Sequence, residues 1–248
     1  MWGWETSYSK KARAAVEQTL GLNIQDLISD AITVDCMLAE ANLKCGIKDI
    51  GSDAIKKTKE EVYARIVEYL EFEGYPSNDS LDFKKTNVHD LVLCMIGPIL
   101  ADFGKETGRI IRLKREKGLM LTDSQMCGYE GYEFIMVDKI FMVDKISREE
   151  QSFVLIIEAK PSSHGEAMRE CLLTMSDMWN DHGKGEIYGF VTTGDVWGMV
   201  RYDGSTFQMS NLFTVLFYTM GKEKERWMKE SSIVVDCITA ALHRGRTV

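Results

Sequence analysis

A buried strand that ends in two opposite charges constrains this chain more than any other feature of its sequence. The five apolar residues 153–157 lead directly into Glu158, and Lys160 follows two positions later. Side chains two apart on a strand point to the same face, so we expect the carboxylate and the ammonium to lie side by side. Burying unpaired charge is costly. The pattern therefore predicts either a buried salt bridge between the two residues or a site for a divalent metal and a phosphate.

The segment before this strand is predicted to pair with it as a hairpin. Residues 134–143 are rich in β-forming side chains, and the polar residues 147–152 separate them from the strand that carries Glu158. Strands that follow one another through a short polar loop are antiparallel by default. We therefore expect a hairpin with its turn centred near Glu149.

This hairpin would bring Asp138 into the same site. With the turn near Glu149, Asp138 lies opposite Lys160 and close to Glu158, and all three share one face. Asp144 would lie on the order of 13 Å from the level of Glu158, at ~3.3 Å per residue. Asp138 and Glu158 are thus the predicted ligands of Mg²⁺ or Mn²⁺, cations that prefer oxygen. Lys160 would orient the attacking water or neutralise charge that develops on a phosphate.

The order of predicted elements indicates an α/β sheet with helices packed around it. Helices are predicted over residues 10–45, 53–73, 86–103 (with a kink or break at Gly97-Pro98), 166–179 and much of 212–242, and strands over residues 110–113, 134–143, 153–159, 187–193, 196–202 and 206–209. The turn formers in residues 74–80 make the clearest linker. We therefore divide the chain into a helical N-terminal extension, residues 1–75, and a second domain, residues 80–248.

The net charge of −8 and the pI near 5.2 argue against a protein that coats nucleic acid by bulk electrostatics. They leave room for an enzyme that collects acids to hold a metal. Basic residues concentrate locally in residues 109–117. This cluster is either the solvated face of a strand or a track for a phosphate backbone.

The sequence predicts an intracellular protein of the cytoplasm or nucleus. Its first residues show no apolar segment after a basic cluster, and no run approaches 18 apolar residues, so neither a signal peptide nor a transmembrane helix is expected. The six cysteines have no CxxC spacing and no zinc pattern with the four histidines. We expect reduced thiols that act as small core residues, and no membrane partner.

Asp138, Glu158 and Lys160, with Ile-Ile-Glu-Ala-Lys as the last motif, resemble the PD-(D/E)xK nuclease superfamily. Later stretches, residues 163–175, 188–194 and 199–204, look like a group of mostly uncharacterised fungal proteins assigned to that superfamily, and the likeness covers roughly residues 85 to 245. The resemblance implies a restriction-endonuclease-like fold, which is a mixed central sheet flanked by helices, with a divalent metal at the site.

The sequence departs from the superfamily pattern at two places. Val137 stands where the pattern has proline. Such nucleases also usually offer an acid from the helix before the first strand, and here the candidates are Asp90, Asp102 and Glu106. Asp90 is our choice as a further metal ligand because it lies on the more N-terminal turn, although an acid at a helix start is also favoured by the helix dipole.

The function expected from these residues is metal-dependent cleavage of phosphodiester bonds in nucleic acid, either DNA or RNA. The alternative is a catalytically inactive module that keeps the nuclease fold and binds a protein or nucleic-acid partner. The three charged residues favour the enzyme, whereas the acidic net charge and the uncertain helix acid favour the inactive module. A nuclease of this kind could form a homodimer to reach both strands.

Overall fold

Eight stretches of the chain are described by the computed structural model: residues 7–45, 52–75, 85–108, 110–117, 130–143, 146–159, 164–182 and 185–244. For residues 110–156 and for Glu158, the description covers the backbone. Within these stretches the helices are α1 (Ser7–Leu20), α2 (Ile24–Ser29), α3 (Val34–Cys45), α4 (Ser52–Glu73), α5 (Lys85–Thr107), α6 (His164–His182), α7 (Lys224–Glu230) and α8 (Ile233–Arg244), and a 3-10 turn covers Met220–Lys222. The strands are β1 (Ile110–Lys117), β2 (Glu130–Val143), β3 (Ile146–Ala159), β4 (Ile187–Thr192), β5 (Val196–Tyr202), β6 (Phe207–Met209) and β7 (Phe213–Thr214).

All the described strands belong to one mixed sheet, in the order β1-β2-β3-β4-β5-β6, with β7 pairing with β5. β1, β2 and β3 form an antiparallel meander. β3 and β4 are parallel, and α6 makes the crossover between them, as a parallel pair requires. The predicted α/β class is confirmed.

Helices cover both faces of this sheet. On one face, which we call the α5 face, Ile157, Ala159 and Phe190 pack into a core with residues of α3, α4, α5 and α8. On the other, the α6 face, Ile187 and Val191 pack with residues of α1, α2 and α6. Alternate residues of β4 therefore serve opposite cores, which explains why all six of its residues are buried.

The helices before residue 75 share these cores with the sheet. Met37 of α3 and Ile66 of α4 are fully buried in the cluster that contains Ile157. Ile32 bridges to Ser210 as a short extension of the sheet, and its carbonyl oxygen accepts a hydrogen bond from the backbone N–H of Asn211. Residues 76–84, which include the predicted boundary between residues 75 and 80, lie outside the described part of the chain, so the division into two domains stays a prediction.

α5 is one continuous helix, so of the kink or break predicted at Gly97-Pro98, the break is wrong. Proline removes one backbone donor from a helix interior and its ring crowds the preceding turn, which usually kinks the helix. Here Met95, Ile96 and Ile99 are almost fully buried on both sides of Pro98. Their burial in the sheet core offsets the missing hydrogen bond and keeps the helix in one piece.

Residues 87–107 of α5 are long and apolar enough to cross a membrane, with a mean hydropathy of 1.2. A helix that packs inside a protein core passes the same test. In this structure 44% of that window is buried, and the buried residues include Leu91, Val92 and Met95 of the sheet core. Within the described residues there is therefore no clear transmembrane span.

The cysteines whose side chains are described are free thiols, namely Cys36, Cys94, Cys171 and Cys237. Cys171 and Cys237 are fully buried, one in each core. Burial raises the pKa of Cys237 far above its usual range, so this thiol stays protonated and unreactive. These two residues act as small apolar core residues, as expected from the sequence.

Candidate functional site

The hairpin of β2 and β3 turns later than predicted. Val143 pairs with Ile146, so the connection lies at residues 144–145 and the turn centred near Glu149 is wrong. Glu149 is a strand residue paired with Ile140. The polar run 147–152 contains no glycine, proline, asparagine or aspartate, and its two serines form turns only weakly. It therefore continues the strand.

This register separates Asp138 from Glu158. Asp138 is the extra residue of a β-bulge, because Val137 pairs with Gln151 and Lys139 pairs with Glu150. Glu158 pairs instead with Gly131, seven residues before Asp138 on β2, which is ~23 Å at ~3.3 Å per residue. The expectation that Asp138 lies opposite Lys160 and close to Glu158 is therefore wrong.

Glu133 is the acidic residue of β2 that the described register places near Glu158 on the same face. It pairs with Ile156, two residues before Glu158, so Glu133 and Glu158 occupy diagonal positions in the antiparallel pair. Residues in this relation share a face of the sheet and lie about 7–8 Å apart. The signal in the sequence was the alternation that begins at Tyr132, in which Tyr132 and Phe134 alternate with Glu133. Our predicted strand began at Phe134 and missed it.

The face occupied by Glu158 follows from its own strand. Ile157 and Ala159, its two neighbours, are fully buried in the core of the α5 face. Because successive residues of a strand alternate between faces, Glu158 belongs to the α6 face. It is paired in parallel with Val191, which packs in the core of that same face. Lys160, two residues further, lies outside the described residues.

The ends of three other elements meet the sheet at the C-terminal end of β3. Ala159 is level with Thr192, the last residue of β4. The turn that follows β4 is held by the Thr192 hydroxyl, which donates to the Val196 carbonyl oxygen at 2.9 Å and accepts from the Gly194 N–H at 2.8 Å. Val88, in the first turn of α5, lies against Gly194. The hairpin predicted around residues 194–195 is confirmed, and it fixes the N-terminus of α5 at this end of the sheet.

His164 begins α6 at the same end and is almost fully buried. Burial lowers the pKa of this imidazole, and the nearby carboxylate of Asp195 only partly opposes the effect. His164 is therefore neutral at pH 7, with one ring nitrogen that can donate a hydrogen bond and one that can accept. Glu166, in the first turn of α6, is exposed.

The acids of α5 are engaged elsewhere. Asp90 is exposed and lies near Tyr69 and Cys94; burial raises the pKa values of both, and the negative charge of Asp90 adds to the rise. Burial works against ionisation of Asp102, but hydrogen bonds from Thr58 at 2.7 Å and Lys105 at 3.2 Å prevail and lower its pKa.

Glu106, near the end of α5, lies 3.9 Å from the buried imidazole of His243. The Glu106 carboxylate thus faces α8. The Asp102 carboxylate faces α4, where the Thr58 hydroxyl donates a hydrogen bond to it. The helix itself packs on the α5 face, opposite to the face of Glu158. The assignment of Asp90 as a metal ligand stays a prediction.

The basic residues of β1 lie opposite residues of β2 in the antiparallel pair. Lys114 is opposite Glu133 and Lys117 is opposite Glu130, while Arg115 is opposite Tyr132. The register thus places two of the basic residues opposite acidic ones, and among the described strands β1 is the edge of the sheet, two strands from Glu158.

Among the residues searched in the described part of the chain, no three His, Cys, Asp or Glu side chains form a group that could hold a metal ion. The side chains of Glu133, Asp138 and Glu158 are not among those described. Compared with models of protein families, with curated proteins and with solved structures, the chain matches none of them.

Proposed function

We propose that this chain is a metal-dependent nuclease whose site forms around Glu158 at the C-terminal end of β3. The observation that carries the proposal is the register that sets Glu133 and Glu158 diagonally on one face, where β3 leaves the sheet and α6 begins. The proposed fold is restriction-endonuclease-like. The mixed sheet, the helix before β1, and the helices on both faces support it, because the resemblance to PD-(D/E)xK nucleases implies these features.

The residues at this end fit a hard divalent cation. Glu133 and Glu158 would hold Mg²⁺ or Mn²⁺ through carboxylate oxygens, the ligands that these ions prefer. When bound, the metal supplies Lewis-acid polarisation of a phosphoryl oxygen and lowers the pKa of a bound water. Lys160 would orient the attacking water and balance charge on the phosphate. Asp138 has no role here, because the register places it seven residues along β2 from Gly131, the partner of Glu158.

The substrate proposed is DNA or RNA. Its phosphates are negatively charged, and Arg112 and Arg115 of β1 are opposite Ile135 and Tyr132 rather than acids. Arg112 shares the face of Glu133 and Glu158, because Ile135 is two residues from Glu133 on β2, so it would serve phosphates near the site; Arg115 lies on the other face. An intracellular location in the cytoplasm or nucleus, where thiols stay reduced, is proposed with it.

A plasmid-nicking assay with Mg²⁺ or Mn²⁺ tests the proposal. The variants are Glu158→Gln, Glu133→Gln and Lys160→Ala, and the matched control is Asp138→Asn, a neutralised acid on the same strand as Glu133. We expect the three site variants to lose at least ~10²-fold in rate, as when one preorganised charge is removed from an active site. The Asp138→Asn variant should keep the wild-type rate.

Two results would contradict the assignment. Equal nicking by all the proteins would mean that another site or a contaminant cleaves. Loss in Asp138→Asn, with Glu133→Gln unaffected, would mean that the register of β2 and β3 in solution differs from the one described here.

The second candidate is an inactive module with the same fold that binds a protein or nucleic acid. One observation favours it: Asp102 and Glu106 of α5 lie beside α4 and α8, on the face opposite to Glu158. Calorimetric titration with Mn²⁺ separates the candidates, using Glu158→Gln as the control. Binding heat in the wild type that the variant loses supports the nuclease, and no heat at millimolar metal supports the inactive module.

A further inference from the structure

β2 and β3 continue as a two-stranded ribbon after both of their flanking strands have ended. β1 pairs with β2 no further than Val137, and β4 pairs with β3 from Leu155 onward. Beyond these points, residues 139–143 pair only with residues 146–150 in the described register. At ~3.3 Å per residue, the five pairs extend the hairpin by about 16 Å past the bulge.

Two irregularities mark the base of this ribbon. Asp138 is an extra residue on β2, and Val154 is an extra residue on β3 between the pairs of Phe134 with Leu155 and Ile135 with Phe153. Bulges bend a strand and increase its twist, and they occur where pairing with a neighbouring strand ends. The ribbon is therefore set apart from the sheet by its backbone geometry, and no other described strand pairs with it.

The two outer edges of the ribbon differ in chemistry. On β2, the outer edge carries the uninterrupted apolar run Ile140-Phe-Met-Val143. On β3, the corresponding edge carries Arg148, Glu149 and Glu150. Charged residues on an edge strand oppose pairing with another chain, whereas a bare apolar edge invites it. A two-stranded ribbon is also at best marginally stable in water by itself.

We propose that the outer edge of β2 at residues 139–143 pairs with the same edge of a second copy of this chain. A strand edge offers backbone donors and acceptors that complement an antiparallel copy of itself. A twofold axis at Phe141 would set Phe141 against its own copy and Ile140 against Met142 of the second copy, so apolar residues meet across the junction. The two ribbons then form one four-stranded sheet.

Charge favours a second copy over nucleic acid as the occupant. From residue 138 to residue 152 the hairpin carries three basic residues (Lys139, Lys145, Arg148) and four acidic ones (Asp138, Asp144, Glu149, Glu150), a net charge of −1. A ribbon that enters a groove of DNA or RNA needs positive charge to neutralise phosphates. The edge of β2 between Ile140 and Val143 has no charge at all.

Sedimentation velocity on the full chain over a concentration series tests this pairing. The variants are Phe141→Lys and, independently, Met142→Lys; the matched control is Ser147→Lys, which adds the same charge to the same ribbon but on the β3 edge. We expect a wild-type dimer, a dissociation constant raised at least ~10²-fold in both β2 variants, and no change in the control. Unfolding midpoints equal to the wild type would show that the lysines act on association rather than on folding.

A wild type that stays monomeric at every concentration would overturn the proposal, and so would a dimer that survives both β2 substitutions. Dissociation by Ser147→Lys as well would assign association to the charged edge or to the ribbon as a whole, and would overturn the pairing of β2 with itself. None of these outcomes depends on nuclease activity, which the nicking assay measures separately.

Discussion

Replacing Gly204 by alanine tests how tightly the turn between β5 and β6 is built. Gly204 has a φ of +91°, in the region that residues with a Cβ rarely adopt. A Cβ at this position would also clash with Cζ2 of the Trp179 indole, far inside van der Waals contact. The turn cannot easily move away, because the Asp203 carboxylate accepts hydrogen bonds from the backbone N–H groups of Ser205 and Thr206.

The structure supplies a matched control in Gly74. Its φ is +86°, almost the same as that of Gly204, but a Cβ added there would meet no atom within 4 Å. Gly74→Ala should therefore lower the free energy of unfolding only through the strained backbone conformation, by roughly 1–2 kcal/mol. Gly204→Ala should lower it by the same strain and, in addition, by about 1–3 kcal/mol because Trp179 must move, as at an overpacked site. The expected loss for Gly204→Ala is thus about 2–5 kcal/mol.

Equilibrium unfolding in urea, followed by tryptophan fluorescence and by circular dichroism, measures both variants. A third protein, Trp179→Ala, and its double variant with Gly204→Ala isolate the clash: without the indole, the cost of Gly204→Ala should fall to that of Gly74→Ala. Trp179 also donates a hydrogen bond to the Gly185 carbonyl oxygen at 3.2 Å, so its own removal is destabilising. Equal losses for the two glycine variants would refute the reasoning, because backbone strain alone would then explain both.

Three further substitutions have expected outcomes. Burial raises the pKa of Tyr188 to about 12. Because the pKa in the unfolded chain is near 10, the free energy of unfolding of the wild type should fall as pH rises from about 10 to about 12. The free energy of unfolding of Tyr188→Phe, measured by urea titration, should fall less over that window. Gly189→Ala would place a Cβ 2.5 Å from the Cys171 sulfur and should cost about 1–3 kcal/mol, part of which Cys171→Ala recovers in the double variant. Thr58→Val removes a hydrogen-bond donor to Asp102, and the interactions that lower the pKa of this carboxyl stabilise the fold above pH ~4. The variant should therefore lose about 1 kcal/mol of unfolding free energy at pH 7. In thermal melts, the difference in stability from the wild type should shrink as pH falls toward 2.

The elements with strong local signals could be predicted from the sequence. The run Ser52–Glu73 has a helical stripe and is a helix, and Gly194-Asp195 between two β-forming runs is a hairpin turn. The crossover helix between β3 and β4 also follows from local pattern, and with it the parallel pair. Each of these depends on residues that are close in sequence.

The hairpin of β2 and β3 could not be predicted in the same way. Polarity suggested a turn over residues 147–152, but polar residues without turn chemistry are compatible with a strand, and this stretch pairs with residues 136–142. The bulges at Asp138 and Val154 each change the register by one residue. No local feature of the sequence marks either bulge, because a bulge arises from the fit between two strands.

This difference explains why one predicted site residue kept its place and another lost it. The face of Glu158 depends on its own strand, since the burial of Ile157 and Ala159 on the α5 face sends Glu158 to the other face whatever β2 does. The position of Asp138 depended on where two strands meet, and moving the turn from Glu149 to residues 144–145 displaced it by several residue pairs. The same dependence applies to Glu133, whose proposed role rests on the described register. For that reason the comparison of Glu133→Gln with Asp138→Asn is the decisive one, because their nicking rates show which register the hairpin has in solution. Glu158→Gln tests the site in either register.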